Sequence, residues 1–313
     1  MFDVFFLQQV LNGLSVGLVY ALVAIGFTLI FGVLNVVNFA HGEVYMLGAF
    51  AGLVLLTTLG PPLLAAVLVV LAVGAMLGFG LERIAFRPFR RFRDEASLKS
   101  KAVREATLLS SLAVSIVVRE LTEKFLGADM QVVPERFRLQ DPILLGDLGV
   151  TGPLAELVII NGQLWILGAA IVMFGALQWV LHRTDIGLSI RAVAANPLGA
   201  QFVGINANRT VIATFAIGSA MGAVAGLLIG LYTADIQPHM GFAPGVKAFV
   251  AMVMGGLSSI PGAVICAILL GVSEAVATEF IAQGWSDIIA YAALLLVLFF
   301  FPQGLFGGGR ERV

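Results

Sequence analysis

Residues 38–50 read NFAHGEVYMLGAF, and they follow the run MFDVFFLQQVLNGLSVGLVYALVAIGFTLIFGVL almost directly. A histidine and a glutamate, His41 and Glu43, sit two residues apart inside a long apolar stretch and are flanked by glycines. Ionisable groups in such surroundings are costly and usually face a bundle interior or an aqueous cavity. Two positions apart on a helix, their side chains diverge by about 200° and do not face each other. An acid–base pair or a two-residue metal site is therefore disfavoured. The other histidines, His182 and His239, are remote in sequence, and no metal site is expected. Asn38 can cap a helix beginning at Phe39. Glu43 then lies in its first turn, where the helix dipole favours a negative charge, and His41 can donate to a nearby carbonyl. The same helix start can also line a pathway, and Asn35, Asn38, His41, Glu43 and Tyr45 are the candidates for that role.

Outward from this stretch the chain is apolar nearly throughout. Of 313 residues, 59% are hydrophobic and 12% charged, with a mean hydropathy of +1.01; soluble domains carry about 25% charged residues. Apolar runs of roughly 20 residues match the thickness of a bilayer core. They fall at 8–34, 42–59, 63–81, 107–125, 164–181, 211–232, 262–281 and 286–301. The expected fold is an all-α polytopic membrane helix bundle of about eight spans, with residues 1–313 forming a single transmembrane domain. The piece 245–254 is too short to cross as an ideal helix. It reads as a broken or re-entrant helix, which is tolerated only where protein or water covers its free backbone groups. The first run lacks the positive flank of a signal peptide and reads as a retained span. The lone cysteine, Cys266, excludes an intrachain disulfide.

Lys and Arg mark the cytoplasmic side. They crowd 83–104 and recur at Arg183, Arg191 and Arg209, and again at Arg310 and Arg312. The N-terminus and the segment 127–161 are then expected outside. Gly218, Gly222, Gly226 and Gly230 recur every four residues, as do Gly13 with Gly17 and Gly74 with Gly78. Such faces let helices approach closely. Phe39-Ala40-His41-Gly42 has a faint echo in Phe242-Ala243-Pro244-Gly245. The expected topology puts the two on opposite sides of the membrane, as in an inverted repeat. Glu274, deep in the seventh run, has to face protein, and Lys247 is a candidate partner. Glu279 falls at the outer interface.

In the loop 183–209, Asn196 suits an N-cap, Pro197 the first helical position and Gly204 a stop. Leu198, Phe202 and Val203 give one apolar side. A short helix at 197–203 lies along or below the membrane. No GxxxxGK[ST] motif occurs, so ATP binding of that type is absent from this chain.

The chain resembles the permeases of branched-chain amino acid ABC importers, of the LivH type. The resemblance covers nearly the whole length. It rests on GLVYALVAIGFTLIFGVLNVVNFAHGEVYMLGAF, ERIAFRP, IGLSIRAVAANPLGAQFVGIN, TFAIGSAMGAVAGLL and GFAPGVKAFVAMVMGGLSSIPGAVICAILLGVSEA. It implies a subunit of the bacterial inner membrane that is not itself an enzyme and carries no cofactor. ATP and Mg would be bound by two cytoplasmic ATPase subunits. The other implied partners are a second, related LivM-like permease chain, a periplasmic substrate-binding protein and the lipid bilayer, with no nucleic acid. The cargo would be a branched-chain or related hydrophobic amino acid, delivered near 127–161 and 235–242. Urea or short amides are the alternative within the branch. A secondary carrier or channel without an ATPase, using Glu274 and His41 as a proton path, is the alternative from another class. The resemblance assigns Arg191, Ala192, Asn196, Pro197, Gly199, Phe202 and Gly204 to the loop that couples to the ATPase. The stretch RPFRRFRDEASLKSKAVREAT departs from the pattern, being longer and more charged.

Overall fold

A computed structural model describes residues 2–89, 101–149, 152–280 and 286–307. The expected basic cluster at 90–93 and Lys99, the C-terminal arginines and the Glu279 side chain lie outside the described residues. The described residues are helical, with two small antiparallel strand pairs among them. Among the described residues, six helices are long and apolar enough to cross a membrane. They belong to α1 (Phe2–Leu34), α2 (His41–Leu59), α3 (Leu63–Leu81, prolonged by a π-turn to Phe86), α5 (Asn161–Arg183), α8 (Ala207–Thr233) and α10 (Ile260–Phe280).

Helix α4 (Lys101–Leu126) contains the fourth expected span, but it is more polar than the six. Arg119, Glu120, Glu123 and Lys124 crowd its last two turns. Its sides are nonetheless those of a helix in lipid. Thr107, Ser111, Ser115 and Thr122 are buried, while Leu109, Leu112, Ile116, Val117, Leu121 and Phe125 are exposed. The last expected span is a shorter helix, α11 (Ser286–Phe300).

Local chemistry sets the breaks. Asn35 ends α1 in the left-handed region at φ 52°, which Asn tolerates better than most residues, and its N–H bonds to the Phe31 carbonyl at 2.7 Å. Gly60, at φ 58°, closes α2 onto the Leu56 carbonyl, and two prolines then lead into α3.

One end of the bundle carries Arg87, Arg183 and Arg209 and is called here the basic end. At the other end β1 (Gln131–Val132) pairs with β4 (Asp235–Ile236), and β2 (Pro142–Leu144) with β3 (Val158–Ile160). The start of α1 lies at that opposite end: the Gln8 side chain donates to the Val158 carbonyl at 2.9 Å and accepts from its N–H at 3.0 Å.

Glycine rows do the packing, since in lipid helices associate through close van der Waals contact. Gly13 and Gly17 lie against Val272 and Ile268 of α10, which runs antiparallel to α1. Gly74 and Gly78 of α3 pack on Ser219, Ala220 and Phe215 of α8. The α8 row inserts between α1 and α2. Gly218 meets Gly26, Gly222 meets His41, Gly226 meets the Tyr45 backbone and Gly230 meets Ile236 and Ala49.

Two helices begin inside the bundle. The start of α2, at His41, is level with Gly26, eight residues before α1 ends, or about 12 Å from that end at 1.5 Å per residue. Helix α9 (Phe242–Gly255) has 14 residues. Its start touches Gly42 through Gly241 and Gly245, and its end meets Gly262 at the start of α10. It therefore runs from mid-depth to the basic end, and β4 with residues 237–241 completes the crossing. The short piece is a broken helix rather than a re-entrant one. The two echoed motifs do not sit on opposite sides. They meet at mid-depth, and their helices leave in opposite directions.

Candidate functional site

The five candidates around the opening stretch scatter. Asn35 is exposed at the end of α1, away from mid-depth. Asn38 is buried but does not cap a helix at Phe39, because α2 starts two residues later. Its Oδ1 accepts instead from the Ala40 N–H at 3.2 Å, and its Nδ2 has no partner among the described residues. His41 is fully buried against Gly26 and Gly222, edge-on to Phe27 at 4.9 Å. The Val23 carbonyl faces the ring, yet neither ring nitrogen makes a hydrogen bond of ordinary geometry among the described residues. The expected carbonyl is thus that of Val23, approached at looser than ordinary hydrogen-bond geometry. Tyr45, one turn on, is buried on the same side of α2.

Glu43 points the other way, as the 200° divergence requires. It is 4% exposed, and its Oε1 accepts from the Ser115 hydroxyl of α4 at 2.9 Å. Its Oε2 is buried without a partner. Ser111, one turn earlier, accepts from the Phe39 N–H at 3.3 Å. Arg119, one turn later, and the His239 ring when it is protonated are the groups whose charge reaches Glu43. His239 Nε2 lies 3.2 Å from Glu123 Oε1. A polar ladder at i, i+4 spacing on α4 thus follows the start of α2 and ends beside the approach to α9. Sequence reasoning missed Ser111, Ser115, Arg119, Glu123 and His239. The signal was the repeat Thr107, Ser111, Ser115, Arg119 on one helical face.

A second buried cluster joins α1, α9 and α10. Lys247 Nζ lies 3.1 Å from Glu274 Oε1, and the Tyr20 hydroxyl donates to Glu274 Oε2 at 3.1 Å. The expected Lys247–Glu274 pairing is present. Tyr20 was not foreseen.

At the basic end, residues 183–209 form two helices. Helix α6 (Asp185–Ala195) was not foreseen and carries Arg191, exposed, and Ala192, partly buried. Thr184 starts it, accepting from the Gly187 N–H at 3.2 Å. Helix α7 (Pro197–Phe202) is the expected short helix, one residue shorter. The Asn196 side chain accepts from the N–H groups of Leu198 and Gly199 at 3.1 and 2.9 Å. Gly204, at φ 88°, stops it. Phe202 is 91% exposed and Val203 75%.

A family model described as "Branched-chain amino acid transport system / permease component" matches residues 9–298. The chain belongs to that family. This permease is 33% identical to the high-affinity branched-chain amino acid transport system permease protein LivH of Escherichia coli K12, over 97% of this chain and 96% of that one. It is 36% identical to the corresponding BraD of Pseudomonas aeruginosa, over 96% of each. A probable LivH of Methanocaldococcus jannaschii is 26% identical over 91% of this chain. Family membership and several membrane-crossing helices make the permease a multi-pass membrane protein.

Proposed function

We propose that this chain, as one membrane domain over 1–313, is the membrane-spanning permease subunit of an ATP-driven importer for branched-chain or related hydrophobic amino acids. The family match supports the importer reading. The observation that carries it in the geometry is the capped helix α7, which leaves Phe202 and Val203 exposed at the basic end. Large apolar side chains held out on a capped element suit docking into another protein. A carrier working alone has no use for such a helix. The proposed partners are two cytoplasmic ATPases that bind ATP and Mg, a second permease of the LivM kind and a periplasmic binding protein, in a bacterial inner membrane. The chain supplies no ATP hydrolysis of its own. Closure of the ATPases moves α7 and α6, and α6 passes that motion to the bundle through Gly187, which packs on Val180 and Leu181. The glycine contact between α2 and α9 is where the bundle can flex.

Affinity purification in mild detergent, with mass spectrometry of co-eluting chains, tests this reading. Recovery of a second permease and P-loop ATPases supports it. A lone homo-oligomer active without ATP overturns it. Asn196→Ala and Gly204→Val are expected to insert normally and lose ATP-driven uptake. Wild-type uptake in both would remove the docking role of α7.

A further inference from the structure

We propose that Glu43 and Arg119 form a mid-depth site that holds the two charged ends of a zwitterion during passage. The proposal rests on the importer reading and adds the recognition chemistry. Glu43 lies about 15 Å from the basic end of α1, half of a hydrocarbon core about 30 Å thick. A carboxylate at that depth needs its lone pairs satisfied. Ser115 satisfies one oxygen, and the other is buried with no partner among the described residues. Arg119 is one helical turn beyond Ser115 on the same side of α4. Its Nε is likewise buried without a hydrogen-bond partner, and it forms no ion pair with Glu43 among the described residues. Opposite charges are thus close enough to act on each other but are not joined, and each keeps unused hydrogen-bonding capacity. An ammonium can take the free Glu43 oxygen while a carboxylate takes the Arg119 guanidinium.

The surroundings fit an aliphatic amino acid. Phe39 and Phe249 lie 6.2 Å apart beside this point, and Phe242 is 62% exposed at the start of α9. An uncovered helix start at mid-depth has to meet protein or water rather than lipid. The starts of α2 and α9, neither capped by a side chain, also add partial positive charge near the carboxylate end. The ladder explains why Ser111 and Ser115 are on α4: they fix Phe39 and Glu43 so that the second Glu43 oxygen stays available.

The test uses the complete importer purified in detergent and the same complex in proteoliposomes. Millimolar leucine is expected to raise the melting temperature of the wild-type complex, measured without ATP. Glu43→Gln and Arg119→Gln are expected to abolish that shift and to slow ATP-driven leucine uptake at least tenfold. Complex recovery and the leucine-free melting temperature should stay as in wild type, and Glu120→Gln, on the exposed side of α4, should retain both responses. A wild-type complex with no leucine shift overturns the site, as do neutral variants that take up leucine at the wild-type rate. If the neutral variants fail to assemble, the swap of Glu43→Arg with Arg119→Glu decides. Restored assembly and uptake in the swap make the two a structural ion pair and overturn the proposal. Assembly restored without the leucine response upholds it. Leucine shifts without any ATP-driven uptake would instead remove the importer reading and leave the site standing.

Discussion

Two buried polar clusters lie in the same bundle and solve the same problem differently. Around Glu274 each carboxylate oxygen has a partner within the chain, Lys247 on one and Tyr20 on the other. Around Glu43 only one oxygen does among the described residues. The first cluster sits where α1, α9 and α10 press closely together, and it ties a 14-residue helix to its neighbours. The second sits on α4, whose apolar residues face outward and whose polar face turns in. A satisfied buried charge is part of the architecture, because removing one member strands the other. An unsatisfied one keeps capacity for something that arrives.

That contrast can be broken most severely at the first cluster. Lys247→Met is expected to destabilise the permease by about 3–5 kcal/mol, the cost of leaving a buried carboxylate unpaired. Melting in lipid-supplemented detergent measures it. The double variant Lys247→Met with Glu274→Leu should recover most of the loss; a double variant no better than Lys247→Met would show that the pair is not the source. Next in size is Gly226→Ala, whose added methyl meets the Tyr45 backbone. Overpacking of this kind costs about 1–3 kcal/mol, and a melting temperature equal to wild type would refute the close α2–α8 approach. Asn196→Ala removes two hydrogen bonds from the first turn of α7, worth about 1 kcal/mol. That loss is local, so faster proteolysis near 196–204 is expected with an unchanged global melt. The smallest effect sharpens the comparison: Glu43→Gln should leave the melting temperature within a degree of wild type. A drop comparable to that of Lys247→Met would put the two clusters in the same class.

Apolar length made the membrane-crossing helices legible, and α7 was legible because Asn196, Pro197 and Gly204 each have one physical reason to stand where they do. The glycine rows were equally readable as packing faces, although spacing alone did not say that Gly222 meets a histidine. Harder to see was the depth at which α2 begins. Its 19 residues look like an ordinary span, and only the contact between His41 and Gly26 shows that the chain first climbs back into the bundle. Asn38 misled for a related reason, since an Asx turn onto Ala40 uses the same side chain as a helix cap. Helix α4 concealed its role because its charged last turns obscure the span, and its contacts with Phe39 and Glu43 cross 72 residues of sequence. Helix α6 was overlooked as loop, although Ile186, Ile190 and Val193 already had helical spacing.

Phe202, 91% exposed at the tip of α7, also bears on time. Covering such a side chain is worth about 2 kcal/mol, which lengthens the dwell of whatever seats on it roughly thirtyfold if the gain falls on dissociation. On the proposed docking role, that one residue of a six-residue helix would set how long the partner stays seated between cycles. Trimming it to alanine would shorten that stay while leaving every membrane-crossing helix as it was.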